Sequence, residues 1–129
     1  MPAMPAMPDM KPIAPQDRRV ANIHEAVFQP YVYPDGRADG DAVLQLTPDA
    51  PLGLGFHVYR MAPGMTTRAH QHRGDEQFLV LEGELFDNDG TRYGAGDLVW
   101  LRDGTQHSSY TPTGCLLAVH IAGPETSLE

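Results

Sequence analysis

The stretch G-M-T-T-R-A-H-Q-H-R-G-D-E-Q-F-L-V-L-E-G, residues 64–83, decides how this chain is read. His70 and His72 alternate on an extended segment, so both side chains leave the same face. Glu76 follows four residues after His72 and opens the apolar run Phe78-Leu79-Val80-Leu81. Two imidazoles and a carboxylate so placed are three of the ligands a divalent transition metal takes. A fourth, His107, follows the turn Asp103-Gly104-Thr105. A single strand histidine is as readily a core residue satisfied by hydrogen bonds. Four such residues at these spacings favour a metal site.

Outward from this stretch the chain alternates short apolar runs with turn signals. Residues 54–61 (L-G-F-H-V-Y-R-M) have period-two alternation, with Phe56, Val58 and Arg60 on one face and His57, Tyr59 and Met61 on the other. Residues 42–47 read as an earlier strand, ended by Pro48 and Pro51. Downstream, Asp87-Asn88-Asp89-Gly90 is a hairpin signal and 91–93 the returning strand. Gly94-Ala95-Gly96-Asp97 turns again, and strands are expected over 98–101, 106–110 (with His107) and 116–121. Residues 123–129 have no pattern. Residues 18–28 fit a helical face or a strand equally. Short strands with Gly, Pro and Asp between them indicate an all-β sandwich or barrel.

The first 15 residues hold five of the twelve prolines and four of the six methionines. Proline at that density blocks helix and sheet ladders alike. The expected organisation is a flexible arm over 1–17, or an arm draped over a second subunit, followed by a single domain over 18–129. With 129 residues, one core is the limit. Seventeen acidic against nine basic residues give a formal net charge of −8, which argues against nucleic acid as a partner. Cys115 is the lone cysteine, in an apolar run, so no internal disulfide or cysteine-rich zinc site forms. No apolar run reaches membrane-spanning length and no secretory signal is visible, so a cytoplasmic location and no membrane partner are expected.

These residues resemble the cupin family. Its first motif, G-x5-H-x-H-x3-E-x6-G, is met by Gly64, His70, His72, Glu76 and Gly83. Its second, G-x5-P-x-G-x2-H-x3-N, is met by Gly96, Gly104 and His107, with Arg102 in place of proline and Thr111 in place of asparagine. The resemblance implies an antiparallel jelly-roll β-barrel with one divalent ion (Fe, Mn, Ni or Zn) held by His70, His72, Glu76 and His107 near one mouth. On a six-coordinate ion four protein ligands leave two positions open; on Zn²⁺ the same set closes a tetrahedron.

Arg60 resembles in position a pocket-lining arginine of cupin oxalate decarboxylases, the alternative being an outward arginine paired with a surface acid. Phe78 and Val80 share the face of Glu76 and are expected to wall a substrate pocket with it. Trp100, Tyr59, Tyr110, His57 and His120 are further possible linings, or core and interface residues. No general base is identifiable.

Two functions follow from the resemblance. One is a metalloenzyme (dioxygenase or other oxidoreductase, decarboxylase, isomerase or lyase) acting on a small molecule that chelates the ion through two oxygens. The other is a non-catalytic metal or ligand sensor. The block H-R-G-D-E-Q-F-L-V-L-E-G is similar to the cupin domain of zinc-dependent anti-sigma factors of the ChrR type, although their His/Cys zinc domain has no counterpart in residues 1–50. The chain also resembles the acetylacetone-cleaving dioxygenases, whose three-histidine iron site lacks a residue like Glu76. Small cupins imply a homodimer, with an edge strand or the arm crossing between subunits.

Overall fold

The apolar run after Glu76 grows into the longest strand of the molecule. In the computed structural model, which describes residues 2–129, that strand is Glu76–Asp87. Numbered along the chain, the strands are β1 (Gln29–Pro30), β2 (Asp41–Leu44), β3 (Gly55–Met61), β4 (His70–Gln71), β5 (Glu76–Asp87), β6 (Arg92–Gly94), β7 (Leu98–Leu101), β8 (Gln106–His107), β9 (Ser109–Tyr110), β10 (Cys115–Ile121) and β11 (Thr126–Ser127). The fold is all-β, a curled antiparallel sheet, and the one helical turn among the described residues is a 3-10 turn at Pro15–Asp17.

β5 changes partners along its length. Its first half lies between β10 and β7, with Phe78 opposite Val119 and Val99. Its last residues pair with β6 and β9. Gly83 marks the change: its φ is +80°, and a Cβ there would sit 2.1 Å from the Gly114 carbonyl oxygen. Glycine alone allows that bend and that approach. The main sheet therefore runs β1-β2-β3-β10-β5-β6 with β7 and β9 also on β5, while β11-β4-β8 form a small second sheet.

Alternation along β3 decides which face looks inward. His57 and Met61 are buried, and with Tyr59 they face the interior. Met61, Met65, Phe78, Val80, Leu85, Cys115, Leu117 and Val119 form the core, each apolar side chain contributing about 1.5–3 kcal/mol on burial. On the outer face, Phe28, Ala42 and Leu116 make a second cluster with Ile23, Leu44, Val58 and Leu81. Residues 18–28 are neither helix nor strand; a turn near 23–25 lays Ile23 and Phe28 over that face.

The two departures from the second motif are absorbed locally. The carbonyl of Arg102 accepts hydrogen bonds from the Thr105 amide (3.1 Å) and hydroxyl (2.9 Å), which close the turn that proline would have preset. Thr111 is fully buried and donates its hydroxyl to the Glu84 carbonyl at 2.7 Å.

Candidate metal centre

Strand pairing brings the histidines together. β4 and β8 are antiparallel, with His70 directly opposite His107. Beyond β4 the backbone stays tied to the same turn: His72 N–H donates to the Thr105 carbonyl at 2.9 Å, and Gly104 N–H donates to the His72 carbonyl at 3.0 Å. The ring centroids of His70, His72 and His107 lie 4.6–5.0 Å apart. Glu76 enters from the start of β5.

The ring nitrogens are sorted by their partners. His70 Nδ1–H donates to the Arg68 carbonyl at 2.7 Å, and His107 Nδ1–H donates to Asp87 Oδ1 at 2.9 Å. Both Nε2 atoms are thereby left for the centre. His72 Nε2 lies 2.9 Å from His107 Nε2 and 3.6 Å from Glu76 Oε1; His107 Nε2 is 3.9 Å from the same oxygen. Asp87 is a built support, for its carboxylate also accepts from the Ser109 hydroxyl and the Tyr93 phenol, each at 2.7 Å. Burial raises the Asp87 carboxyl, but these three hydrogen bonds outweigh it and hold the group below the ordinary carboxylate range. Burial lowers His107, and its bond to Asp87 reverses that and raises it.

Without a cation the centre is in electrostatic conflict. Burial pushes the Glu76 carboxyl up to about 8, and the negative charges of Glu125 and Asp87 add to this. Burial, with repulsion from His107 and His70, pushes His72 down to about 4. Three clustered imidazole nitrogens, with the buried Glu76 carboxylate beside those of His72 and His107, are a donor set that fits a divalent transition metal. The ligating atoms of His70, His72 and His107 lie within 4.8 Å of one another.

The centre opens on a cavity of about 550 Å³. His57, Tyr59, Met61, Phe78, Leu117 and Val119 wall it, with His70, Glu76 and His107 in the lining. Its polar corner holds Tyr31, Tyr33, Asp41 and Arg68. Tyr59 OH donates to Asp41, and the Arg68 guanidinium stacks 3.6 Å from the Tyr33 ring centroid while Nε donates to Asp39 Oδ2 at 3.1 Å.

The expected pocket residues divide. Phe78 lines the cavity; Val80 is packed in the core beyond it. Arg60 is displaced from the expected role: β3 turns its odd-numbered residues inward, so Arg60 is on the outer face, its guanidinium 4.4 Å from the Phe28 ring centroid. Tyr59 and His57 face the cavity, whereas Trp100, Tyr110 and His120 are exposed on the outside. Sequence reasoning missed Asp87, Arg68 and Glu125. Asp87 had a signal only as a turn residue, Arg68 lay inside the first motif, and Glu125 had none.

The model of the ChrR cupin-like domain family matches residues 51–123. By sequence, no curated protein matches the chain. Among solved structures, an acetylacetone dioxygenase from Acinetobacter johnsonii superposes with a TM-score of 0.67 at 16% identity, covering 87% of this chain and 78% of that one. The polyketide cyclase RemF from Streptomyces resistomycificus gives 0.67 at 19% identity, covering 87% and 86%. The complex of Rhodobacter sphaeroides SigE with the anti-sigma ChrR gives 0.59 at 19% identity, covering 82% and 51%. At these identities the structural likeness establishes a shared cupin fold.

Proposed function

Because the chain belongs to the ChrR cupin-like domain family, we propose that it is a metal-dependent cupin enzyme acting on a small, largely apolar molecule that chelates through two oxygens. His70, His72, Glu76 and His107 are the proposed ligands of one divalent ion. A bound ion supplies Lewis-acid stabilisation of negative charge developing on a chelated oxygen. The protein does the rest. Asp87 holds the His107 ring by its Nδ1–H, and the Arg68 carbonyl does the same for His70. Met61, Phe78, Leu117 and Val119 keep water from the apolar part of the substrate, and Phe78 follows Glu76 on the same strand face. Tyr31, Tyr33 and Arg68 are available to polar groups at the other side of the cavity.

The observation that carries this reading is the cavity: about 550 Å³ is a volume that takes a small organic ligand, and a purely structural ion needs no such space. The test is metal analysis of protein purified without chelator, followed by titration with acetylacetone as a bidentate oxygen donor. Iron, manganese or nickel with a charge-transfer or fluorescence change on adding the diketone supports the enzyme. Closed four-coordinate zinc that ignores the diketone supports the second reading, a metal sensor, which the ChrR family match favours.

Assembly as a homodimer is part of the proposal. On the outer face, Phe56, His120, Gln77 and Trp100 lie side by side across β3, β10, β5 and β7. Phe56, Trp100 and the neighbouring Leu98 are 64%, 53% and 75% exposed, an apolar patch suited to a two-fold contact.

A further inference from the structure

The segment after β10 carries no sequence pattern, yet it is tied down along its length. Thr126 pairs with Gln71 and Ser127 with His70. Leu128 N–H donates to the Ala69 carbonyl at 3.0 Å, and Ala69 N–H donates back to Glu129 Oε2 at 2.6 Å. Arg73 Nε–H donates to Thr126 Oγ1 at 2.6 Å. A Cβ on Gly123 would lie 2.4 Å from the Arg73 carbonyl oxygen, so the chain passes there only as glycine. Every one of these partners belongs to residues 69–73, the segment that carries His70 and His72.

The result is a strap that delivers one more carboxylate to the centre. Glu125 Oε1 lies 3.4 Å from His70 Nε2, and a Glu125 carboxylate oxygen lies within 4.8 Å of the ligating atoms of His72 and Glu76. Glu125 also lines the cavity. The three imidazoles form one cluster, and His72, Glu76 and Glu125 form a second that shares His72. The two carboxylates repel each other as they stand, and a divalent cation is the species complementary to the whole set. Resting on the metal reading above, we propose that Glu125 is a fifth protein ligand, held in place by the β11 strap, that occupies one of the positions left open by His70, His72, Glu76 and His107 and gives it up to a chelating ligand.

This differs from a four-ligand site in two measurable ways. Metal binding and strap docking are coupled, so each strengthens the other. A bidentate ligand competes with Glu125, so removing the carboxylate weakens the metal and strengthens the chelator.

Co²⁺ is the probe, with full-length wild type, Glu125→Gln and Glu125→Ala, all checked for native circular dichroism. Expected results are Co²⁺ affinity lower by about tenfold or more in both variants, and tighter acetylacetone binding to their Co²⁺ forms. Amide exchange at Leu128 should slow on adding Co²⁺ to wild type and stay unchanged in Glu125→Gln. Equal Co²⁺ affinity and equal Leu128 protection in wild type and variants would overturn the fifth ligand while leaving the four-ligand site standing. A wild type that binds no Co²⁺ would overturn both.

Discussion

At the scale of single residues, Glu76 carries the sharpest prediction. In the metal-free protein burial lifts its carboxyl to about 8, against 4.5 unfolded, while His72 is lowered to about 4. A raised carboxyl contributes stability below its unfolded value and loses it as pH climbs toward the folded one. The lowered His72 works the other way, losing stability as pH falls from 6.5 toward 4. Between pH 6.5 and 8 the raised Glu76 acts in the same direction as the raised His107, and the Glu76 part alone should cost the metal-free protein about 2 kcal/mol across that window. Glu76→Gln should flatten the loss, raise metal-free stability at pH 7.5 and weaken metal binding; urea melts at pH 6.5 and 8 check it. A melt that weakens equally in the variant would assign the pH dependence elsewhere. The four spaced residues were legible because a two-residue offset on a strand and a fixed loop length leave them little freedom. Asp87, Arg68 and Glu125 were not, because their roles come from pairings that join residues 20 to 55 positions apart or a turn whose acid reads as ordinary turn chemistry.

Among the elements, β5 is the one on which the others depend, and Gly83 is where it bends. Gly83→Ala would place a methyl 2.1 Å from the Gly114 carbonyl and hold alanine at φ +80°. Left-handed backbone and overpacking together make this destabilising by about 2–5 kcal/mol, readable as a lowered denaturant midpoint at unchanged slope. A change within ±0.5 kcal/mol would show that the bend relaxes freely. The strands around it were legible where alternation was long: 98–101 was read to the residue, and 54–61 and 116–121 to within one. Which face of β3 looks inward was not legible, because Phe56-Val58-Arg60 and His57-Tyr59-Met61 are each half polar and only the pairing with β10 chooses between them. That is how Arg60 came to be expected in the pocket and Arg68 overlooked. The small sheet was less readable still, since β4, β8 and β11 are two residues each and hold together only through one another.

For the whole molecule, two consequences separate assembly from metal. If the outer patch is a two-fold contact, Leu98→Glu, an exposed position on β7, should turn a dimer into a monomer in light scattering without altering metal content; wild type already monomeric at tens of micromolar would remove the patch as the contact. The second concerns pH. The core of Met61, Phe78, Val80, Leu117 and Val119 is buried by strand pairing in which Glu76, at the start of β5, is the one proposed ligand, so the barrel should close without an ion. The ligands, in contrast, must shed protons before they bind, and with Glu76 near 8 the metal-free site still holds one at neutral pH. Affinity should therefore begin to fall below about pH 8, not only below the ordinary histidine range, with about one proton released per ion bound at pH 7. At pH 5 the ion should leave while the far-ultraviolet circular dichroism stays native. His70→Ala should destabilise the metal-loaded form more than the metal-free form, the difference being the linkage amount of about 2.7 kcal/mol when metal is present at 100 times its Kd. Metal content and circular dichroism followed together through an acid titration decide the matter. Simultaneous loss of ion and β-structure would make the ion a structural staple of the barrel, and the open, ligand-accepting site would lose its physical basis.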